Sequence, residues 1–145
     1  MEGEATSTLA DAPRMLPPLT DLNRQFWTGG ARGELLIQRC QGCGTWVHPP
    51  TDRCPSCDGE LRAEPVSGRG TVFTFTINRH PYNPAVPLPY VIALVELVEQ
   101  DGLRFMTNIV GCEPDEVAIG MPVRVQFEDR GEIFVPVFAP APDAG

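Results

Sequence analysis

Apolar and polar residues alternate along the second half of the chain in short runs that are typical of β-strands. In the run at 71–77, Phe73, Phe75 and Ile77 share one face at a period of two. Further apolar runs follow at 90–95, 105–110, 123–127 and 133–137. Pro136 lies inside the last run, and proline has no N–H for a strand ladder, so we expect an edge strand there. Five strands joined by hairpin turns and one long connection predict a small Greek-key barrel of the OB type at 66–141.

Two connections in this half differ from simple hairpin turns. The connection at 78–89 holds four prolines in twelve residues, which predicts a stiff, extended segment. Residues 111–122 predict a capped turn or a single turn of helix between the third and fourth strands.

The N-terminal part has a different pattern. Residues 1–18 hold few large apolar residues and predict a flexible arm. Residues 19–34 predict a short helix that begins at Thr20 and ends at Gly29-Gly30, with Leu22 and Phe26 on one face.

A helix of about two turns is not stable alone, so its aromatic end must contact another surface. Phe26 and Trp27 pack either on their own domain or on a partner protein, and both alternatives remain open.

Composition narrows the class of protein. The chain has 11 basic and 19 acidic residues, a net charge of −8, and all the basic residues are arginine. The acidic balance disfavours nucleic acid as a partner, and the lack of lysine excludes chemistry that needs a lysine amine. No apolar run approaches the length of a membrane helix and the first residues do not resemble a secretory leader, so we expect a cytoplasmic protein without a membrane partner.

Four of the five cysteines form two C-x-x-C pairs separated by ten residues, Cys40/Cys43 and Cys54/Cys57. In a reducing compartment this pattern indicates a metal before disulfides, and four thiolates can surround one Zn²⁺ tetrahedrally. Gly44 follows the second cysteine and lets the backbone turn toward the sulfurs. Four protein ligands leave no open position, so the predicted zinc is structural, in a rubredoxin-like ribbon at 35–65. A single iron atom in the same cage, or redox-active cysteine pairs, are the alternatives.

The remaining cysteine and the histidine of the ribbon have no catalytic partner near them in sequence. The fifth cysteine, Cys112, has no histidine near it in sequence, which favours a small half-buried residue over a nucleophile. His48 is expected on the surface or beside the zinc ligands. No serine elbow, carboxylate pair or glycine-rich phosphate loop is present, so the sequence predicts no catalytic residue.

Four arginines of the ribbon and first barrel strand form a possible site for the phosphates of coenzyme A, where the arginine fork bonds well; the alternative is solvated charge beside acidic neighbours. They are Arg53, Arg62, Arg69 and Arg79.

Several runs resemble domain-of-unknown-function family thirty-five, whose members join a zinc ribbon to an OB-fold and are associated with acyl-CoA metabolism. The resemblance spans about residues 20–140 and rests on the cysteine pairs and on the runs Leu36–Gly44, Gly68–Thr76, Thr107–Gly111 and Ile119–Val123.

This resemblance implies a non-catalytic accessory subunit of a thiolase-superfamily enzyme, such as a lipid-transfer-type aldolase of steroid side-chain degradation, a thiolase or an acyltransferase. The partner would hold the catalytic residues, and acyl-CoA would bind at or near the interface. Fused versions of the family exist, so the chain can be a part of a larger protein. It also implies metal binding at the four paired cysteines.

Two further sets of contacts are our own inference and not features of the family. Candidate contacts to coenzyme A are Arg69, Arg79 and His80. Candidate partner contacts are Phe26, Trp27, Pro81, Tyr82 and Pro84. Two other functions stay open: a nucleic-acid-binding module, since ribbons and OB barrels are common there, and a stand-alone acyl-CoA-binding protein.

Overall fold

The computed structural model describes residue 16 and residues 18–80 and 88–141. Within these residues the fold is mainly β, as the alternating pattern predicts. One short helix, α1, spans Arg24–Thr28 and continues as a 3-10 turn at Gly29–Arg32; a second 3-10 turn spans Pro114–Glu116. The strands are β1 Leu35–Cys40, β2 Trp46–Val47, β3 Leu61–Val66, β4 Arg69–Asn78, β5 Tyr90–Leu97, β6 Arg104–Ile109, β7 Pro122–Arg130 and β8 Ile133–Pro140.

The last five strands close into a barrel in the order β4-β5-β6-β8-β7, which confirms the predicted OB-type barrel. Neighbouring strands are antiparallel except β6 and β8, which meet in parallel at Ile109 and Phe138. Along β5 the residues alternate between buried and partly exposed, so one face lines the core and the other faces outward.

The prediction of an edge strand at Pro136 is wrong, because β8 lies between β7 and β6 and closes the barrel. Proline is tolerated there because β8 and β6 are paired at one position, Ile109 with Phe138, so Pro136 interrupts no continuous ladder on that side. The Pro136 carbonyl instead accepts a hydrogen bond of 3.1 Å from the Thr107 hydroxyl.

The capped turn predicted within 111–122 is confirmed. The 3-10 turn at Pro114–Glu116 is preceded by Glu113, and the side chains of Glu113 and Glu116 bond reciprocally to each other's backbone N–H groups. This capping box satisfies donors that a single turn would otherwise leave unpaired.

The α-helix ends at Thr28 with Gly29 as its C-cap, which confirms the helix end predicted at Gly29-Gly30. The chain continues through both glycines as a 3-10 turn, which ends at Gly33 in the left-handed conformation with φ of 71°. A Cβ on Gly30 would lie 2.4 Å from the Phe134 Cβ, and one on Gly29 would lie 2.6 Å from the Glu34 carbonyl oxygen. The two glycines therefore also permit close contact with the barrel and β1, and Gly33 ends the 3-10 turn.

The ribbon, a three-stranded sheet in the order β2-β1-β3, shares one continuous core with the barrel. Phe26 from α1 contacts Phe105 of β6, with ring centroids 5.9 Å apart. The Gln100 side chain, in the turn after β5, also binds the backbone of Trp46 in β2. Its Oε1 accepts from the Trp46 N–H at 2.9 Å, and its Nε2 donates to the Trp46 carbonyl at 3.0 Å.

The sequence predicts a ribbon at 35–65 and a barrel at 66–141. In the structure the ribbon sheet spans residues 35–66 and the barrel strands span 69–140. The predicted arm at 1–18 lies outside the described residues apart from residues 16 and 18, and Pro81, Tyr82 and Pro84 lie outside them as well. In the part of the chain that the structure describes, no helix has the length and apolar character needed to cross a membrane.

Candidate metal centre

The four paired cysteines converge in the turns that follow β1 and precede β3. Their ligand atoms all lie within 4.8 Å of one another. Cys40 Sγ is 3.4 Å from Cys57 Sγ, and Cys43 Sγ is 3.7 Å from Cys54 Sγ. A tetrahedral zinc ion with bonds of about 2.3 Å requires sulfur–sulfur separations of about 3.8 Å. The residues present therefore fit a four-thiolate zinc site.

Backbone groups around the sulfurs are placed to stabilise negative charge. The N–H groups of Gly42 and Cys43 each donate to Cys40 Sγ at 3.3 Å, and the Ser56 N–H donates to Cys54 Sγ at 3.4 Å. Gly44 adopts the left-handed conformation with φ of 78°, which supports the turn predicted for it. Such N–H to sulfur bonds orient metal ligands and offset part of the charge of a thiolate cage.

A glycine that the sequence analysis passed over also shapes the cage. A Cβ on Gly59 would lie 2.8 Å from Cys40 Sγ and 3.1 Å from Cys57 Sγ. Only a residue without a side chain leaves room for the sulfurs at this point. Gly59 comes two residues after the last cysteine, and a glycine so close to a metal-binding pair is the sequence feature that points to it.

The thiols influence one another's ionisation. The Cys43 N–H lowers the pKa of Cys40, and the hydrogen bond of 3.2 Å between Cys43 Sγ and Thr45 Oγ1 contributes to a pKa of about 6 for Cys43. Sharing a proton with Cys40 raises the pKa of Cys57 to about 12. A divalent cation bound here would favour the thiolate form of all four ligands, Cys57 included.

A zinc ion held by these four residues would cross-link the turns that follow β1 and precede β3, and would contribute to folding, not to catalysis. Arg39 links the turn of the first cysteine pair to Trp46, which in turn contacts the barrel. Its Nε donates to the Gly44 carbonyl at 3.0 Å, and its guanidinium lies 4.8 Å from the ring centroid of Trp46, the residue that Gln100 binds.

His48 does not lie on the open surface or beside the zinc ligands, so the prediction for it is wrong. Its half-buried ring forms a cluster of three with Phe26 and Phe105, 5.0 Å from the Phe26 centroid and 5.4 Å from the Phe105 centroid. Burial lowers the pKa of His48 from 6.5 to about 4. At neutral pH the imidazole is uncharged, and it packs α1 and the ribbon against the barrel.

Cys112 is half-buried, and its surroundings suit a packing residue. Burial raises the pKa of its thiol, and the nearby carboxylates of Glu116 and Glu113 raise it further. A thiol that stays protonated is a weak nucleophile. The favoured interpretation of Cys112 as a small half-buried residue agrees with this environment.

The three candidate contacts to coenzyme A do not lie together. Arg69 begins β4 and Arg79 follows its end, so the ten residues of the strand separate them by about 30 Å. Arg79 is exposed and forms an ion pair of 3.3 Å with Asp115, and His80 is exposed beside it. Arg79 and His80 can share one ligand, whereas Arg69 belongs to the opposite end of the barrel.

Of the candidate partner contacts, the structure describes Phe26 and Trp27. Phe26 is buried in the chain's own core, and Trp27 is half-buried against it, with ring centroids 4.8 Å apart. For Phe26 the structure therefore favours the first of the two alternatives, contact with its own domain.

Two family models match successive parts of the chain. The model described as the ChsH2 rubredoxin-like zinc ribbon domain matches residues 27–62, and the model described as the ChsH2 C-terminal OB-fold domain matches residues 63–128. The first match contains the cysteine cage, and the second runs from β3 into β7, the fourth of the five barrel strands.

Curated relatives fall into two groups. A probable enoyl-CoA hydratase alpha subunit of Thermomonospora curvata is 41% identical over 94% of this chain and 44% of its own length. A 3-oxo-4,17-pregnadiene-20-carboxyl-CoA hydratase alpha subunit of Mycobacterium tuberculosis is 40% identical over 72% of this chain and 33% of its own. The chain thus spans less than half the length of these hydratase subunits. A DUF35 domain-containing scaffold protein of Methanocaldococcus jannaschii is 38% identical over 64% of this chain and 67% of its own length.

A solved structure described as an Ltp2-ChsH2(DUF35) aldolase contains a chain of similar fold. The two chains are 39% identical and superpose with a TM-score of 0.77, over 86% of the present chain and 98% of the solved one. Sequence and fold therefore agree over nearly the whole of that relative. The chain belongs to the DUF35 family, with ribbon and barrel domains of the ChsH2 type.

Proposed function

We propose that the chain is a non-catalytic accessory subunit that binds and stabilises a thiolase-superfamily enzyme acting on acyl-CoA substrates. The observation that carries this proposal is the likeness, over 98% of the solved chain, to the component of an Ltp2-ChsH2(DUF35) aldolase. The names of the other relatives, an alpha subunit and a scaffold protein, support a role as one part of an assembly.

The chemistry of the described residues supports a role without catalysis. Among residues 18–80 and 88–141, the groups with shifted pKa values are Cys40, Cys43 and Cys57 of the cage, His48, Cys112 and the ion-paired Glu96. None of these combines a nucleophile with a base in the way that acyl transfer or aldol cleavage requires.

For the substrate, we propose an acyl-CoA of steroid side-chain degradation, bound at or near the interface between the two subunits. The support is the steroid-carboxyl-CoA substrate in the name of the Mycobacterium tuberculosis relative. Arg79 and His80, which lie together at one end of β4, are our candidate contacts to the phosphates of coenzyme A, with Arg79 released from Asp115 on binding. Arg69 at the other end would need a separate part of the ligand.

The two other functions have less support. Nucleic acid binding requires a basic surface interleaved with stacking aromatic residues, and this chain carries a net charge of −8. A stand-alone acyl-CoA-binding protein would need its anion contacts in one pocket, whereas Arg69 and Arg79 lie at opposite ends of β4.

Co-expression with thiolase-superfamily proteins from the same genome, followed by size-exclusion chromatography with mass determination, tests the proposal. We expect a stable hetero-oligomer that contains both chains. Separate elution of the two chains at micromolar concentration, with every candidate enzyme, would contradict it. Calorimetry of the lone chain with CoA esters should give weak binding or none, and binding of single-stranded oligonucleotides that weakens with salt would favour the nucleic-acid alternative.

A further inference from the structure

The outer face of β4, β5 and β6 carries large apolar side chains in water. Met106 is 68% exposed and Phe73 is 43% exposed. Met106 lies between the buried Phe105 and Thr107, so it points away from the core, and its partner across the strands is Leu94, which is partly exposed. Exposed residues of this size on adjacent strands form a surface that is typical of protein contact.

A β-bulge places Phe73 on this outer face together with its neighbour. The register of β4 against β5 passes from Val72 with Val95 to Thr74 with Leu94, so Phe73 and Thr74 share one partner. Val72 is buried, whereas Phe73 and Thr74 are both exposed. Bulges of this kind re-aim side chains, and here the bulge directs a phenylalanine into solvent.

The loop before β7 extends the same surface. The N–H of Gly120 donates to the Val72 carbonyl at 2.7 Å, and the Val72 N–H donates to the Met121 carbonyl at 3.0 Å. These bonds place Ile119, which is 69% exposed, beside β4 near Phe73. We call Phe73, Leu94, Met106 and Ile119 the outer apolar patch.

Arg104 forms an ordered border to the outer apolar patch. Its guanidinium lies 3.7 Å from the Phe73 ring centroid, and its Nε donates to Glu96 Oε1 at 3.0 Å. Arginine and aromatic residues are enriched among the contacts that dominate binding energy, and a side chain already held in place loses little entropy on binding.

Acidic side chains lie near one border of the patch. Glu116 lies three residues before Ile119, so it is within about 11 Å of it, and Glu113 is exposed in the same turn. Glu96 and Asp115 are already paired with Arg104 and Arg79, so they add no net charge. With a net charge of −8 on every copy, a second copy of this chain would be repelled, whereas a protein with basic residues around an apolar centre is complementary.

We infer that the outer apolar patch is the docking surface for the enzyme subunit, which presents an apolar surface flanked by basic side chains. This inference rests on the proposed function and adds to it the face that makes the contact. It places the interface on the barrel, away from the aromatic residues of α1, which are committed to the chain's own core.

Met106→Glu tests the inference, because it places a charge at the centre of the patch without disturbing the core. The matched control is Leu22→Glu, which changes another exposed leucine-sized side chain on the N-terminal turn, off the barrel face. Zinc content and the thermal unfolding midpoint should be the same in both variants and the wild type. Binding is measured by calorimetry with the zinc-loaded full chain and the Ltp2 subunit or the co-purifying thiolase-superfamily protein.

We expect Met106→Glu to raise Kd by about 30-fold or more and Leu22→Glu to change it by less than about threefold. Wild-type binding should weaken as salt rises, because the complementary charges are exposed. If the wild type binds and Met106→Glu binds equally well, or if Leu22→Glu alone abolishes binding, the inference is overturned while the proposed function stands.

If the wild type binds no thiolase-superfamily protein, the proposed function fails, and the identity of the occupant fails with it. A wild-type homodimer that Met106→Glu dissociates would assign the patch to a second copy and would also overturn the inference. Sedimentation at several protein concentrations distinguishes this last outcome from the others.

Discussion

The buried imidazole of His48 should make the stability of the chain depend on pH in a defined range. The ring packs against both Phe26 and Phe105, and burial lowers its pKa from 6.5 to about 4. In the unfolded chain the imidazole is exposed and regains its ordinary pKa. The unfolded state therefore binds a proton between these two values, whereas the folded state does not.

The sign and size of the effect follow from this difference. Each pH unit between the two pKa values changes the free energy of unfolding by about 1.4 kcal/mol per proton. The contribution of neutral His48 is complete above the unfolded pKa and is lost as pH falls, down to the folded pKa of about 4. Between pH 6.5 and pH 5 the loss amounts to about 2 kcal/mol.

Urea denaturation of the zinc-loaded chain at about pH 7.5 and about pH 5 measures this loss. Other acids and the zinc thiolates also titrate, so the control is His48→Gln, whose side chain stays neutral throughout. The wild type should lose about 2 kcal/mol more than the variant over this range. Equal losses, or an NMR titration that gives His48 a pKa near 6.5, would refute the packing role assigned to this ring.

Three other changes test the fold and the metal site. Gly30→Ala should lower the free energy of unfolding by about 1–3 kcal/mol in chemical denaturation, because its Cβ would lie 2.4 Å from the Phe134 Cβ. The control is Gly42→Ala, for which the nearest atom is 3.7 Å away, and we expect little change in the free energy of unfolding. Gln100→Ala removes both hydrogen bonds to Trp46 and should cost about 1–3 kcal/mol, with faster hydrogen exchange of the Trp46 amide; unchanged exchange would contradict it. A strong chelator should unfold the ribbon, as followed by tryptophan fluorescence. Elemental analysis should find one zinc per chain, and a folded preparation without zinc or iron would contradict the predicted metal site.

The features that the sequence predicts correctly are those whose determinants are close together in the chain. Alternation of apolar residues at a period of two is a property of each strand alone, and it placed all five barrel strands. The cysteine pairs likewise specify their own cage, because two short turns at a fixed spacing are sufficient to bring four sulfurs together.

The wrong predictions involve contacts between residues that are distant in sequence. The helix end at Gly29 is confirmed, but the close approach of Gly30 to Phe134, more than one hundred residues later, has no local signal. His48 is polar and lies between the two cysteine pairs, and nothing near it in sequence indicates that it packs against Phe26 and Phe105. Pro136 was assigned to an edge because proline interrupts ladders, and the single pairing between β6 and β8 is a property of the closed barrel.

The sequence pattern does not predict the outer apolar patch, for a similar reason. In sequence, Phe73, Phe75 and Ile77 alternate with polar residues, which predicts that all three share one face of the strand. The bulge shifts the alternation by one residue, so Phe73 is exposed at 43% whereas Phe75 and Ile77 are partly buried against the core. A period-two pattern cannot reveal a bulge, because the extra residue becomes visible only in the register with the neighbouring strand.

The central claim, that this chain completes an enzyme and does not catalyse alone, is tested most directly by titrating it into a thiolase-superfamily subunit at fixed concentration and measuring turnover of a steroid acyl-CoA. We predict that neither chain alone is active and that activity rises to a plateau at a fixed molar ratio. Full activity of the enzyme subunit without this chain, or activity of this chain alone, would contradict the account.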